Sequence, residues 1–289
     1  MSVVIPVHNG SRFLAACIEN IRNQVSEEIE IIVVDDGSTD ASVEIAKRMA
    51  VSVVIQQNAG VCTARNRGFL QSTGEFIVFQ DQDDLLVDGS LQRARRMLME
   101  QPGLGMTFGR ARIIDEHGES QGEQSVRTAP PTVEAFLAGR VIVPPGIAMF
   151  RRTSVIEAGP FDPRWQIVGD LAFYVSIMKV SGACHHDEIS VAYRRHGDNV
   201  SGRGSEAETL RELLAYLGEE RLATRDPRRL QAIRSGRRYW IRRFWRGSAT
   251  WAIRSVARGR FREAIASGRT AAATLPARCF GRHREDDFR

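Results

Sequence analysis

The sequence predicts an α/β protein with a mostly parallel central sheet flanked by helices and a helical appendage at the carboxyl end. Three observations predict it. Short β-branched runs alternate with amphipathic stretches over roughly the first 100 residues, the βαβ rhythm of a parallel sheet covered by helices. The apolar runs are continuous, as strands buried on both faces must be. After about residue 205 the pattern is helical throughout, which divides the chain into residues 1–205 and a basic extension, residues 206–289.

Ser2–Val7 opens as the first strand. A helix over about Arg12–Val25 follows, because Phe13, Cys17, Ile18 and Ile21 recur on one stripe. Ile29–Val34 is the second strand. It stops at Asp35-Asp36-Gly37-Ser38-Thr39-Asp40, where Gly37 permits a tight turn and Asp40 or Ser38 can cap a helix from about Ala41. A strand at Val51–Ile55, a helix at Val61–Gln71 and a strand at Glu75–Gln80 continue the alternation, and this last strand runs into Asp81-Gln82-Asp83-Asp84. Both acid-rich turns thus fall at carboxyl ends of strands, the edge where open α/β folds bind ligands. From about Leu104 to Ala192 the pattern is mixed, with strands at Met106–Ile114, Val141–Val143 and Ala148–Arg151 and a helix at Gly169–Val180. The rest is a helix at Ala207–Ala223 and a longer helical stretch broken near Gly247 and Gly259.

Composition narrows the function. With 289 residues, 43% hydrophobic and 26% charged, the chain can build a real core, and the disordered, collagen-like and disulfide-scaffold classes fall away. No run of ~18 apolar residues spans a membrane and no basic-then-apolar leader is visible, so a cytoplasmic location is expected. Cys17, Cys62, Cys184 and Cys279 are too far apart for a paired zinc site or a dense disulfide framework and read as free thiols. The net charge of +5 conceals an asymmetry: residues 225–289 hold 18 Arg, no Lys and 5 acids, or +13, which leaves −8 for residues 1–224. Such an acidic body handles its ligand through metal ions or hydrogen bonds, while the basic tail meets an anionic surface.

Asp81, Asp83 and Asp84 place three carboxylates within four residues, which repel one another unless a cation offsets them. Mg²⁺ or Mn²⁺ bound through one or two carboxylates shares a substrate's phosphates, so a diphosphate ligand is implied; the plain alternative is a solvated turn capping a helix near Asp88. Asp35-Asp36-Gly37-Ser38 reads as a second metal site, a nucleoside-binding turn or a helix cap. There is no Gly-x-Gly-x-x-Gly after the first strand and no Gly-Lys-Ser/Thr, so neither a Rossmann dinucleotide site nor a P-loop is supported. His185-His186-Asp187-Glu188 has metal-ligand residue types, but consecutive strand side chains face opposite ways, which favours a structural role.

Four motifs then occur in one order and spacing: Val4-Ile5-Pro6-Val7-His8-Asn9, Val33-Val34-Asp35-Asp36-Gly37-Ser38-Thr39-Asp40, Asn58-Ala59-Gly60 with Ala64-Arg65-Asn66, and Gly74-Glu75-Phe76-Ile77 leading to Asp81-Gln82-Asp83-Asp84. Together they resemble family 2 glycosyltransferases of the GT-A fold. Gly159-Pro160-Phe161-Asp162, Gly169-Asp170 and Tyr193-Arg194-Arg195-His196 to Ser201 resemble that family's later motifs, so the likeness covers residues 2–203. The resemblance implies a GT-A-type nucleotide-sugar-binding fold in which Pro6, Val7, His8, Asn9, Asn58 and Asp36 contact the donor, Asp36 through the base. Arg65 is implied near the base or phosphates, Asp83 at the ribose and Asp84 at the metal bridging the diphosphate, with Asp81 completing the acidic motif. His196 would join the metal or bond the diphosphate, and Asp170 matches the catalytic base. Two departures stand out: Gly169 replaces an acid usual before the base, and His8 stands where Tyr is frequent.

The chemistry accounts for these residue types. Inverting sugar transfer needs a carboxylate to take the acceptor hydroxyl's proton, and a cation to stabilise the departing diphosphate. The expectation is therefore an inverting, metal-dependent glycosyltransferase that moves a sugar from a nucleotide-sugar donor, UDP-sugar favoured, to a hydroxyl of a cell-envelope or exopolysaccharide glycan, lipid-linked acceptors included. A sugar nucleotidyltransferase and a non-catalytic nucleotide-sugar-binding scaffold are the alternatives. In the tail, Trp240, Phe244, Trp245 and Trp251 alternate with Arg237, Arg238, Arg242, Arg243, Arg246 and Arg254. This reads as contact with an anionic membrane surface, at the inner face of the cell membrane, as partner contact, or as packing on the body. Nucleic acid is not expected, because the strand-end motifs lie in the acidic part.

Overall fold

The computed structural model describes residues 1–24, 29–123, 130–141, 146–197 and 206–257. Strands and helices alternate through the first 79 residues: β1 (Ser2–Val7), α1 (Leu14–Arg22), β2 (Glu30–Asp36), α2 (Ser42–Arg48), β3 (Ser52–Gln56), α3 (Val61–Gln71) and β4 (Phe76–Phe79). They form the parallel run β3-β2-β1-β4. Because side chains alternate across a strand, Val3, Ile5 and Val7 pack with Leu14, Ile18 and Ile21 of α1, whereas Val4 faces Cys62 and Ala64 of α3. Each such buried aliphatic side chain contributes about 1.5–3 kcal/mol.

The second half is more mixed. After β5 (Leu85–Leu86) and α4 (Ser90–Glu100) come β6 (Leu104–Ile114), β7 (Ser120–Glu123), α5 (Val133–Leu137), β8 (Ala148–Arg151), α6 (Arg152–Ala158), α7 (Gly169–Val180) and β9 (Gly182–Arg194). β8 joins antiparallel to β4, β6 antiparallel to β8, and β9 parallel to β6, while β5 and β7 lie antiparallel on β9 and β6. The parallel pairings of the sheet are those of β3-β2-β1-β4 together with β6–β9, and the remaining pairings are antiparallel.

Several elements differ in detail from expectation. The helix expected from Arg12 begins at Leu14, because the Gly10 carbonyl first closes a turn on the Phe13 and Leu14 N–H groups; Val25 lies outside the described residues. α4 starts after Gly89 with no side-chain cap, so the acidic turn is not spent in capping it; the Asp88 carboxylate meets Gln24 instead. Val141 is buried but lies in no strand, and residues 142 and 143 lie outside the described residues.

α8 (Glu206–Ala223) and α9 (Pro227–Ala257) close the described chain. α9 runs unbroken through Gly247, where a helix break was expected; one glycine costs about 1 kcal/mol, which a 31-residue helix absorbs. Gly259 lies outside the described residues. α9 presses on α5 so closely that a Cβ at Gly236 would lie 2.0 Å from the Leu137 carbonyl oxygen. Leu213, Tyr216, Leu217, Ala232 and Ile233 enter the main core, and Phe244 forms a smaller cluster with Ala207 and Leu210, against which Trp240 and Trp245 pack. The tail's aromatic residues therefore face inward as far as Trp245, while Arg234, Arg238, Arg242 and Arg243 are exposed. Among the described residues no helix is long and apolar enough to cross a membrane.

Candidate active site

Three loops converge at the carboxyl edge of β1, β2 and β4. Asn9, after β1, takes a left-handed conformation (φ 52°), which suits its short polar side chain; its Oδ1 accepts the Thr39 N–H at 2.8 Å and its N–H donates to Ser38 Oγ at 2.9 Å. His8 Nδ1 lies 2.9 Å from the Asp36 carbonyl oxygen, and its Nε2 lies 3.3 Å from the Asn9 side-chain amide nitrogen. The Asn58 amide lies 3.3 Å from the same ring. His8, Asn9 and Asn58 are exposed, whereas Pro6 and Val7 are buried in β1 and form the floor beneath them.

Asp36 is only 5% exposed, and its carboxylate serves the chain: Oδ1 accepts from Gln56 Nε2 at 2.8 Å and Ala59 N at 2.7 Å, Oδ2 from Gly60 N at 2.9 Å. It therefore shapes the Asn58–Gly60 turn that precedes α3, where Gly60 adopts φ 90°. Asp40 lies just before α2; burial works against its ionisation, but the Ser42 hydroxyl, together with Ser11 and the Ser42 N–H, keeps its carboxyl down at about 2.

The acidic turn is divided among different partners. Arg65, 3% exposed, reaches Asp81 at 3.0 Å with one guanidinium nitrogen and Asp170 at 2.7 Å with another. The resemblance set Arg65 near the donor's base or phosphates; in the structure its side chain is buried and joins the acidic turn to the start of α7. Burial pushes the Asp81 carboxyl up to about 6, although Arg65 opposes the shift, and raises the Asp170 carboxyl as well. Asp83 Oδ2 meets His196 Nε2 at 2.8 Å, and the His196 ring lies 4.9 Å from that of Phe13. His196 thus stands against the residue implied at the ribose.

Asp84 is fully buried. Its Oδ1 accepts the Arg194 N–H at 2.7 Å while Oδ2 has no partner, and burial together with Asp81 and Asp83 raises its proton affinity well above the usual range. That orphaned oxygen beside two further carboxylates fits a divalent cation. Among the described residues no three His, Cys, Asp or Glu side chains converge as a closed cage, so a cation here would take its remaining ligands from water and substrate phosphate.

Gly169 is buried, and a Cβ there would lie 2.5 Å from Cys62 Sγ, so the cysteine occupies the space an acid at this position would need. His185 and His186 separate as alternation requires, His185 toward the Phe108 ring and His186 to Ser190. Cys17, Cys62 and Cys184 are free; Cys279 lies outside the described residues.

Three further residues shape the site. Gln82 pins the acidic turn to the β1 loop, accepting the His8 N–H at 3.1 Å. Arg194 braces the turn from β9, donating to the Asp83 carbonyl at 2.8 Å and stacking over Phe13. Glu212 on α8 accepts the N–H groups of Ile167 and Val168 at 2.6 and 2.9 Å. Gln82 and Arg194 could be found from their places inside the motifs; Glu212 has no local signal.

The family model described as Glycosyl transferase family 2 matches residues 2–159. The uncharacterized glycosyltransferase YibD of Escherichia coli is 39% identical over 194 residues, covering 65% of this chain and 54% of that protein. The putative glycosyltransferase EpsH of Bacillus subtilis is 42% identical over 89 residues, covering 29% of this chain and 26% of EpsH. The chain thus spans about a quarter of EpsH and about half of YibD. Among solved structures, Staphylococcus aureus TarS 1–349 in complex with UDP-GlcNAc aligns with a TM-score of 0.63 at 17% identity, over 81% of this chain and 70% of that one. The mannosyltransferase PcManGT of Pyrobaculum calidifontis, in complex with GDP-Man and Mn²⁺, aligns at 0.60 and 17%, over 96% and 76%. At such identities these structures show the fold, the GT-A fold implied by the motifs.

Proposed function

The chain belongs to glycosyl transferase family 2, and on that premise we propose that it transfers a glycosyl group, with inversion, from a nucleotide-sugar donor to a hydroxyl of a cell-envelope or exopolysaccharide glycan. One observation carries the reading: buried Arg65 holds Asp170 and the acidic turn together through bonds of 2.7 and 3.0 Å. A carboxylate of raised proton affinity then stands beside the turn suited to a diphosphate.

In this reading His8, Asn9 and Asn58 meet the nucleoside, and Asp36 acts first by holding the turn that presents Asn58. Asp83, oriented by His196, receives the ribose. Asp84, with Asp81 beside it, would hold Mn²⁺ or Mg²⁺, which supplies Lewis-acid stabilisation of the leaving diphosphate when bound. Asp170 Oδ1 is held by Arg65, so Oδ2 takes the acceptor hydroxyl's proton as that oxygen attacks the anomeric carbon. UDP-sugar is the proposed donor: the solved structure of TarS holds UDP-GlcNAc, while that of PcManGT holds GDP-Man. Family membership speaks against the nucleotidyltransferase alternative, and a non-catalytic scaffold would bind the donor without turnover.

The test is Asp170→Asn, an isosteric change that keeps a hydrogen-bond acceptor for Arg65. Turnover should fall at least ~100-fold with donor binding retained, the scale of lost general-base catalysis; turnover within tenfold of the parent would defeat the assignment. For location, the exposed Arg234, Arg238 and Arg242 support contact with the anionic inner face of a membrane. Flotation with phosphatidylglycerol-rich vesicles should be lost when all three become Glu, and equal flotation of both proteins would refute it.

A further inference from the structure

The loop from Gly159 to Val168 leads into α7 and so decides where Asp170 stands. α3 holds one side of it. Asn66 Nδ2 donates to the Phe161 carbonyl while Asn66 Oδ1 accepts the Phe161 N–H, both at 2.8 Å, and the Cys62 thiol donates to the Trp165 carbonyl. α8 holds the other. There Tyr216 meets Trp165 edge to face with ring centroids 5.6 Å apart, Arg164 is shared between Asp162 and Glu219, and Glu212 Oε1 accepts from both Ile167 N and Val168 N.

α7 starts without a side-chain cap of its own, since Val168 occupies the cap position. Unpaired N–H groups at a helix start cost stability, and an acid is favoured there by the helix dipole. Glu212, from another helix, takes the N–H groups of the two residues that lead into α7, Ile167 and Val168, and so fixes the path by which the chain enters the helix. We propose that Glu212 is a positioning residue for glycosyl transfer: from the carboxyl-terminal extension it fixes the start of α7, and with it the Asp170 carboxylate. This rests on the reading of Asp170 as the base. The raised proton affinity of Asp170 arises from burial, opposed by Arg65, and Glu212 is not among its causes. Glu212 therefore acts by geometry, and a neutral acceptor of equal length can replace it.

The test compares Glu212→Ala, Glu212→Gln and Asp170→Asn in the full chain. The readout is nucleoside diphosphate release from a panel of UDP-, GDP- and dTDP-sugars with Mn²⁺, normalised to the folded fraction. Glu212→Ala should lower kcat by ~10–100-fold, the scale of an ångström-sized misplacement of a reacting group, with donor KM within twofold. Glu212→Gln, whose amide oxygen accepts both N–H groups, should stay within threefold of the parent. Unchanged kcat in Glu212→Ala, equal losses in Ala and Gln, or a loss confined to donor KM would each overturn the proposal. Should Glu212→Ala not fold, Glu212→Asp, one methylene shorter, takes its place: a fall in kcat with donor KM kept supports the role, and an unchanged kcat overturns it. If Asp170→Asn keeps its turnover, the base assignment fails whatever Glu212 does; if Asp170→Asn is inactive and Glu212→Ala is normal, only the positioning role fails.

Discussion

Replacing Arg65 by Met should destabilise the protein in a strongly pH-dependent way. Arg65 is 3% exposed, while its partners Asp81 and Asp170 keep 26% and 25% of their side-chain surface open. Removing one member of a buried ion pair costs about 3–5 kcal/mol, because the remaining charge stays desolvated without compensation. The lower end applies here, since both carboxylates retain some solvent and can take up protons. About 3 kcal/mol at pH 8 corresponds to a loss of roughly 6–12 °C in Tm for a chain of this size. The sign follows from linkage. Asp81 already binds its proton more tightly folded, at about 6, than an unfolded Asp, so the folded state gains relative stability as pH falls through that range. Without Arg65 both carboxyls rise further, so the deficit is widest above pH 7 and narrows as pH falls and they take up protons. Urea unfolding followed by circular dichroism, at pH 8 and 5.5 without divalent cations, measures it. A deficit under 1 kcal/mol at pH 8, or the same deficit at both pH values, would refute the bridging role.

Other measurements probe the same site. The acidic limb of kcat/KM should lie above the ordinary Asp value of about 3.9, because burial raises Asp170; a limb at or below pH 4 in a pH–rate profile contradicts the assignment. Gly169→Ala should cost about 1–3 kcal/mol through its clash with Cys62 Sγ, and Cys62→Ala in the same chain should recover part of that loss, so additive losses in a double-mutant cycle would exclude the contact. Asp84→Asn keeps an oxygen for the Arg194 N–H and removes a buried charge. Its Tm without ligand should therefore stay level or rise, while the thermal shift given by UDP with Mn²⁺ disappears; a retained shift would remove Asp84 from the cation's ligands.

Much of the site was legible because it is local in sequence. Continuous apolar runs announced β1, β2 and β4, and the polar residues that end them, Asn9, Asp36 and Asp81 to Asp84, fall at one edge because parallel strands share a direction. The thiols and the paired histidines also followed from spacing and alternation. What the sequence could not decide was where long side chains turn once three loops meet. Arg65 was set near the donor's base or phosphates by its motif, and the folded chain adds that its buried guanidinium pairs with both Asp81 and Asp170. The motif set Asp36 at the base, and only the folded chain shows that its carboxylate also accepts three bonds from Gln56, Ala59 and Gly60. The tail's Trp and Arg pattern suited a membrane face or a packed helix equally, and only the approach of Gly236 to Leu137 turned the aromatic side inward. Glu212 lies 42 residues beyond Asp170, and its role depends on α8 crossing the start of α7. Periodicity fixes which face of a segment is apolar; which buried charges meet across the core depends on contacts between distant segments, and these exist only in the folded chain.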